Sequence, residues 1–383
     1  MKTVYLVLGS LNAVGGVERV GLAYIEALKE NGFEVILASL SRTDWNKVES
    51  IFGKLEYLPD DELLLRPSNI NILNIYQNLL VNLIFQKSRK RDAITINLHA
   101  DLVPIPSDIA HPQDPTFANT SDTTPILTRY HNNIPKAAYF AIHNRIHRKL
   151  IKNSLAKSKL LVSNSSFAKD QLEKWLGNQS LTIYPPVEVE KYHRPPDSDK
   201  RENIVVSCGR FAPEKKQTII PDIASKLPEV TFYIIGSTPT QGLLGKISSR
   251  IIKQLEQKIK NLELDNVKIL QNVSFEEQLS LYGKAKIFLH TAPVEHFGMA
   301  VVEGMASGLV PIVYKNGGPW NDIILKGKYG LGFSDIDEAA KAIKHVIPDE
   351  TYHSMAHSAV ERANTFSKES FKTNILSLVK RAC

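Results

Sequence analysis

The chain has 383 residues, of which 43% are apolar and 23% are charged, and its formal net charge is +7 at pH 7. This length suits two domains that each close a core, and the composition excludes a largely disordered chain. The only cysteines, Cys208 and Cys383, are too few for a disulfide scaffold or a cysteine-rich metal site. No run of about 18 apolar residues predicts a membrane-spanning helix, and the residues after Lys2 do not resemble a signal peptide. We therefore expect a cytoplasmic protein.

The first half of the chain alternates between short apolar runs and a segment of helical periodicity. The runs Thr3–Leu8, Phe33–Leu37, Ala93–Leu98 and Lys159–Ser163 predict strands, and Val17–Leu28 predicts a helix. This alternation is typical of a parallel sheet covered by helices.

Gly15 and Gly16 lie between the first predicted strand and the first predicted helix. A backbone without Cβ exposes its amides at the amino end of a helix, where a phosphate is favoured. The spacing is not G-x-G-x-x-G, which argues against a dinucleotide fingerprint, and a simple tight turn is the alternative. We predict that Gly15 and Gly16 approach the phosphates of a ligand.

The excess of basic over acidic residues lies within Thr123–Lys169, a segment with nine Lys or Arg and no Asp or Glu. Tyr139, Ile142, Ile146 and Leu150 fall on one face of a predicted helix there. The bases of this helix fall beside or opposite that face: Arg145, Arg148, Lys149 and Lys152. A basic amphipathic helix suits an anionic membrane surface or a pyrophosphate-bearing lipid, although nucleic acid could use the same charges and a solvated core helix is the plain alternative. We expect peripheral binding to the inner face of the cell membrane and no nucleic acid partner.

A proline-rich passage, Tyr184–Pro196, interrupts the alternation and predicts a domain boundary. The alternation restarts with predicted strands at Asn203–Cys208, Val230–Ile235, Val267–Leu270 and Lys286–His290. We therefore predict one domain over residues 1–190 and a second over residues 197–365, followed by a terminal helix from Phe366 to Lys380.

Two carboxylates, Glu295 and Glu303, lie eight positions apart just after the predicted strand Lys286–His290. Gly298 opens a segment of helical periodicity, so both acids lie near the carboxyl end of a strand, where open α/β sheets bind ligands. The free amides at the start of that helix favour a phosphate. The alternative is a surface helix with solvated acids. The candidate binding residues of this segment are Glu295, Phe297, Gly298, Met299, Ala300 and Glu303.

Arg210 and Lys215 follow the first predicted strand of the second domain. A guanidinium and an ammonium five positions apart across a proline turn can converge on one diphosphate, with bidentate contacts from the arginine and a point charge from the lysine. Val273 follows the predicted strand Val267–Leu270, and we predict that it also binds the nucleotide. No metal-ligand spacing of histidines or cysteines is present, so we expect no protein-held metal and no cofactor.

The segment from Glu295 to Glu303 resembles the E-x7-E signature of retaining glycosyltransferases of family 4. Leu309–Val313 and Asn316–Pro319 are similar to the same family, and to its branch of dolichol-linked α-1,2-mannosyltransferases. The resemblance implies the GT-B fold: an α/β protein of two facing Rossmann-like domains with parallel sheets, in which the terminal helix, residues 366–383, crosses back to the first domain.

The resemblance also implies roles for individual residues. Arg210 and Lys215 match the family's diphosphate ligands, although Lys216 stands where many members have glycine, so either lysine could reach the phosphate. Gly15 and Gly16 would face the donor diphosphate and the acceptor. His111 is the candidate for the first-domain histidine near the donor sugar. His99 and His131 compete with it for this role.

The resemblance implies a metal-independent hexosyltransferase that retains the anomeric configuration. Glu295 would hold the hexose hydroxyls and Glu303 the ribose hydroxyls, while the two cations stabilise the leaving group. The resemblance favours mannose from GDP-mannose as donor, with a UDP-sugar as the other possibility, and a lipid-linked or other glycan as acceptor. A sugar-nucleotide epimerase of the same fold and a non-catalytic module that binds a polyprenyl diphosphate or a sugar nucleotide are the alternatives.

Overall fold

The computed structural model describes residues 2–12, 15–66, 74–114, 134–194, 196, 200–238 and 242–382. The chain divides into two compact units: Met1–Pro186 with Glu369–Cys383, and Val187–Lys368. Each unit contains one parallel sheet covered by helices. The predicted fold class, two Rossmann-like α/β domains with parallel sheets, is confirmed.

In the first unit, seven described strands pair in the order β3-β2-β1-β4-β5-β6-β7, all parallel. The strands are β1 (Thr3–Leu8), β2 (Glu34–Ser39), β3 (Asp61–Leu64), β4 (Ile94–Asn97), β5 (Ile109–Ala110), β6 (Leu160–Ser163) and β7 (Leu181–Thr182). The described helices between them are α1 (Gly16–Glu30), α2 (Trp45–Phe52), α3 (Asn74–Ser88), α4 (Ile134–Ala156) and α5 (Ser166–Leu176). Sequence analysis found the central strands but missed β3, β5 and β7, which have only two to four residues each.

Alternation along β1 explains how this sheet buries both faces. Val4 and Leu6 pack on one face with Tyr24 of α1, whereas Tyr5 packs on the other face with Phe85 of α3. Successive side chains of a strand point to opposite faces, so a strand that is apolar throughout must be covered on both sides.

In the second unit, six described strands pair in the order β10-β9-β8-β11-β12-β13, again all parallel. The strands are β8 (Glu202–Cys208), β9 (Thr231–Gly236), β10 (Val267–Gln271), β11 (Ala285–His290), β12 (Val310–Tyr314) and β13 (Leu331–Phe333). The described α-helices are α6 (Val189–Tyr192), α7 (Ile220–Ala224), α8 (Gly242–Asn261), α9 (Phe275–Lys284), α10 (Met299–Ala306), α11 (Ile336–Val346) and α12 (Asp349–Asn364). Strands β8 and β11 lie at the centre of this sheet.

The C-terminal helix α13 (Lys368–Ala382) returns to the first unit. Its apolar side chains Phe371, Ile375, Leu378 and Val379 join the core that contains β1 and α1. The buried Lys372 ammonium binds carboxylates of three glutamates: Glu26 and Glu30 of α1, and Glu369 of its own helix. The predicted crossover of the terminal helix is therefore confirmed.

Candidate active site

The carboxyl ends of β8, β11 and β12 lie at one edge of the second sheet, because these strands are parallel neighbours. The loop after β8 carries Arg210 and Lys215, and the loop after β11 carries Glu295. This edge is where open parallel sheets bind ligands. The fold thus brings together motifs that are about 80 residues apart in the sequence.

Lys215 and Glu295 form an ion pair, in which the lysine Nζ contacts the glutamate Oε2. Both side chains are partly buried, with 23% and 19% of their surface exposed. Burial alone would raise the pKa of the Glu295 carboxyl, but the neighbouring His290 and the charge of Lys215 outweigh it and hold this pKa well below its usual range. Glu295 is therefore a carboxylate at neutral pH, suited to accept hydrogen bonds rather than to donate a proton.

Two residues at the end of β11 support this pair. His290 Nε2 lies 3.4 Å from Glu295 Oε2. The Thr291 hydroxyl donates a 2.7 Å hydrogen bond to the carbonyl oxygen of Lys215, which ties the loop after β8 to the end of β11. Sequence analysis missed both residues, since a single histidine or threonine at a strand end carries no distinctive pattern.

The two predicted diphosphate ligands do not contact a common partner in this structure. Arg210 is 54% exposed and pairs at 3.4 Å with Glu214, four residues later, whereas Lys215 pairs with Glu295. Lys216, the other candidate lysine, is exposed and has a left-handed backbone with φ 52°. Of the two lysines, Lys215 is the one that the structure brings next to Glu295.

The glycine pair after β12 braces the Glu295 loop. Gly318 N donates a 2.8 Å hydrogen bond to the carbonyl oxygen of Glu295, and the Asn316 side-chain amide donates at 2.9 Å to that of Pro293. A Cβ atom on Gly318 would lie 2.8 Å from the carbonyl carbon of His296 and closer still to its oxygen. The approach of the two backbones therefore requires glycine, a role that the sequence motif by itself did not show.

Helix α10 begins at Met299, directly after Gly298 with φ 98°. No side chain of the described residues caps this end, so the first amides, including those of Met299 and Ala300, have no intrahelical partner and suit a phosphate oxygen. The ring of Phe297 is buried, and its centroid lies 5.3 Å from that of Phe366.

Glu303 and Val273 occupy different settings within the second unit. Glu303 lies in α10 and is buried, with 6% of its surface exposed. Burial raises the pKa of the Tyr282 hydroxyl, and the charges of Cys208 and Glu303 raise it further. Val273 is half-buried at the carboxyl end of β10, after an Asn272 side chain that bonds Thr238.

In the first unit, Gly15 precedes the first residue of α1, Gly16, as predicted. The buried Glu18 places its carboxylate over this turn, since a Cβ atom on Gly15 would lie 3.0 Å from Glu18 Oε2. A carboxylate interacts favourably with the amino end of a helix and repels a second anion there. That Gly15 and Gly16 approach the phosphates of a ligand stays a prediction.

The candidate histidines of the first unit are buried. His111 is fully buried, its Nδ1 lies 3.1 Å from the Tyr24 hydroxyl, and burial lowers its pKa to about 3. His99 accepts a 2.7 Å hydrogen bond from Gly9 N, and burial lowers its pKa to about 4. Both are uncharged at neutral pH. His131 lies outside the described residues.

A buried carboxyl group holds the loop that carries His111. Asp101 accepts hydrogen bonds from the amides of Gln113 and Asp114 at 3.2 and 3.3 Å. Burial raises its pKa to about 7, and these backbone hydrogen bonds oppose the shift. Sequence analysis did not single out Asp101, since its burial depends on the loop folding back over it.

Helix α4 turns one face inward through Ile151 and Leu155, which pack on the sheet. Ile146 is 39% exposed and the neighbouring bases Arg145, Lys149 and Lys152 are exposed as well, without an ion pair to any described acid. Two other bases of the predicted basic segment have partners: Lys159 pairs with Asp108 and Lys169 with Glu173. The side chains of Tyr139 and Ile142, and the whole of Arg129, are outside the described residues.

The described residues contain neither a metal-binding cluster nor a membrane-spanning helix. Within the described ranges, no group of three or more His, Cys, Asp or Glu side chains is arranged to hold a metal ion. No helix among these residues is both long and apolar enough to cross a membrane.

Residues 188–366 match the sequence family described as "Glycosyl transferases group 1". Two curated relatives are "GDP-Man:Man(3)GlcNAc(2)-PP-Dol alpha-1,2-mannosyltransferase" proteins. The one from Dictyostelium discoideum is 27% identical over 267 residues, 64% of this chain and 51% of the relative. The one from Homo sapiens is 28% identical over 244 residues, 58% of this chain and 49% of the relative. The chain thus spans about half the length of these relatives.

Two solved structures share the whole fold. Sucrose-phosphate synthase from Thermosynechococcus elongatus superposes with a TM-score of 0.71 at 17% identity, covering 100% of this chain and 99% of that one. The Anabaena protein HepE, solved in complex with UDP and glucose, superposes with a TM-score of 0.68 at 16% identity, covering 99% and 100%. At this identity the likeness establishes the fold alone.

Proposed function

Because residues 188–366 match the family described as "Glycosyl transferases group 1", we propose that this protein transfers a hexose from a sugar nucleotide to an acceptor hydroxyl and retains the anomeric configuration. The observation that carries the proposal is the Lys215–Glu295 ion pair at the carboxyl edge of the second sheet. The pair supports the proposal because its ammonium suits a leaving diphosphate and its carboxylate suits sugar hydroxyls.

In the proposed reaction, the bond between the anomeric carbon and the β-phosphate oxygen breaks while the acceptor oxygen bonds to the same face of the sugar. The acceptor's proton passes to the departing phosphate oxygen. Negative charge grows on the diphosphate, and fixed cations and amides stabilise it. Lys215, Arg210 and the first amides of α10 supply these groups, so we propose transfer without a metal ion.

Glu295 and Glu303 would position the donor rather than move protons. The Glu295 carboxylate accepts hydrogen bonds from hexose hydroxyls, and Glu303 accepts them from the ribose. A lysine ammonium has three N–H donors, so Lys215 can keep its contact with Glu295 while it also donates to a phosphate oxygen. The relatives named above favour GDP-mannose as the donor.

The acceptor that we propose is a glycan on a polyprenyl diphosphate, the class named for the relatives. Uncharged His111 and the Glu18 carboxylate over Gly15 suit neutral sugar hydroxyls at the edge of the first sheet. We propose that the exposed bases of α4, together with Ile146, bind an anionic membrane on its cytoplasmic face, where each base near such a surface contributes about 1 kcal/mol.

The test is an incubation of purified protein with radiolabelled GDP-mannose or UDP-glucose, with and without a lipid-linked oligosaccharide extract. We expect labelled lipid-linked product from GDP-mannose. A changed sugar in recovered donor, without transfer, would instead indicate an epimerase. Binding without either product would indicate a non-catalytic module.

Membrane binding has a separate test. Sedimentation with anionic vesicles should pellet the wild type at low salt but not a variant with Arg145, Lys149 and Lys152 changed to Gln. The matched control changes three bases of the second unit, Lys253, Lys260 and Lys344, to Gln. Wild-type protein that stays in the supernatant would contradict the membrane proposal.

A further inference from the structure

His290 occupies a fixed position next to the Lys215–Glu295 pair. It is the last residue of β11, a central strand held between β8 and β12, and it is directly opposite Val313 of β12. Its side chain is only 7% exposed. The imidazole is therefore held by the sheet and has little freedom to reorient.

The buried nitrogen of this imidazole lies close to one oxygen of Glu295. Nε2 lies 3.4 Å from Oε2 and has no hydrogen-bond partner at normal distance among the described residues. A buried polar nitrogen without a partner costs about 1–3 kcal/mol, so a closer approach to the carboxylate is favoured.

The two neighbours of Glu295 leave its second oxygen available. Lys215 and His290 both approach Oε2, and no hydrogen bond from the described residues reaches Oε1. Oε1 can accept a hydrogen bond from a hexose hydroxyl while Oε2 is held in place.

The two holders of Oε2 differ in one respect. Lys215 has a flexible side chain whose charge is attracted to a bound diphosphate, whereas His290 is fixed by the sheet. Because the ammonium is shared between Oε2 and the diphosphate once the donor is bound, the imidazole is the group whose hold on the carboxylate does not change.

We propose that His290 is a positioning residue, which holds the Glu295 carboxylate toward the donor sugar by donating an Nε2–H hydrogen bond to Oε2. This inference rests on the proposed function. Its consequence is specific: loss of the donor should affect the sugar part of the donor substrate and spare the nucleoside diphosphate part.

The experiment compares His290→Phe, which keeps the ring volume without a donor, with His290→Gln, whose amide nitrogen reaches the place of Nε2. Transfer from GDP-mannose gives kcat and KM, and calorimetry gives the affinities for GDP and GDP-mannose. UDP and UDP-glucose are run in parallel. His345→Phe, at an exposed histidine of α11, is the matched control.

For His290→Phe we expect kcat to fall about 10- to 100-fold, the scale for a misplaced positioning group. The affinity for GDP should stay within about twofold of wild type, while the gain in affinity from GDP to GDP-mannose should be lost. His290→Gln should recover most of kcat. His345→Phe should match wild type.

Wild-type kcat and a wild-type affinity gain in a folded His290→Phe protein would overturn the inference. If that variant does not fold, His290→Gln and His290→Asn carry the test, because they share an amide but only glutamine reaches Oε2; equal kcat values would then overturn it. A wild-type protein that transfers no sugar from GDP-mannose or UDP-glucose would refute the proposed function and this inference with it, whereas transfer by wild type with unchanged kcat in His290→Phe would refute the inference alone.

Discussion

The polar side chains at the carboxyl edges of the two sheets differ in what they bind. In the second unit, Lys215 and Glu295 are ionised, partly exposed and bound to each other. In the first unit, His111 is buried and uncharged, and Asp101 is buried and bound to backbone amides. In the proposed function, the ionised groups of the second unit face the anionic diphosphate, and the uncharged groups of the first unit face sugar hydroxyls.

The largest effect should come from the charged edge. Lys215→Ala should lower the transfer rate about 10²- to 10³-fold, because it removes a charge at the leaving group and the ion-pair partner of Glu295. Arg210→Ala is expected to fall in the same range. Steady-state kinetics with GDP-mannose measure both.

Lys216→Ala is the matched control, since this neighbouring lysine is exposed. Its rate should stay near wild type, and thermal unfolding should be similar for all three variants. Equal losses for Lys215→Ala and Lys216→Ala would remove the distinction between the two lysines.

A smaller loss should follow from Gly318→Ala, which changes no charge. The added Cβ would press on the His296 backbone, displace the Glu295 loop and lower the transfer rate about 10- to 100-fold. Gly283→Ala is the control, because a Cβ there meets no atom within 4 Å and the site is helical. Wild-type kinetics in Gly318→Ala would show that the close contact between Gly318 and the Glu295 loop does not position the carboxylate.

We expect the charge of Lys372 to contribute to the stability of the first unit and not to the binding of GDP-mannose. It is 9% exposed and binds three glutamates, whose hydrogen bonds outweigh burial and raise its pKa. Lys372→Met should lower the free energy of unfolding by about 1–3 kcal/mol, since the acids lose their cation. Urea denaturation measures this, with the exposed Lys380→Met as control. A shift in KM for GDP-mannose without a stability loss would contradict the structural role.

The smallest effect should be a change in pH dependence at His111. Its folded pKa of about 3 lies below the ordinary 6.5, so below pH 6.5 the unfolded chain binds a proton that the folded chain excludes. When the pH falls from 7 to 5, the free energy of unfolding of the wild type should therefore drop by about 1–2 kcal/mol more than that of His111→Gln. Unfolding by urea at both pH values gives the difference, and His345→Gln should leave it unchanged. If the free energy of unfolding changed equally between the two pH values in the wild type and in His111→Gln, the imidazole would be protonated inside the fold.

Local patterns predicted the elements that contain a long apolar run or a glycine. The strands β1, β8 and β11, the start of α1 at the Gly15 turn and the start of α10 at Gly298 were all predicted correctly. The two-residue strands β5 and β7 were not predicted, because two residues carry no periodicity and pair only where neighbouring strands already lie.

The sequence alone determined which residues could carry charge and chemistry: Arg210, Lys215, Glu295 and the glycines that surround them. Tertiary structure decided which of them meet. It paired Lys215 rather than Lys216 with Glu295, aimed His290 at the same carboxylate, turned Phe297 into the core and buried His111. The physical reason is that side-chain type and backbone preference are local properties, whereas burial, ion pairing and pKa depend on groups that the sheet brings together from distant parts of the chain.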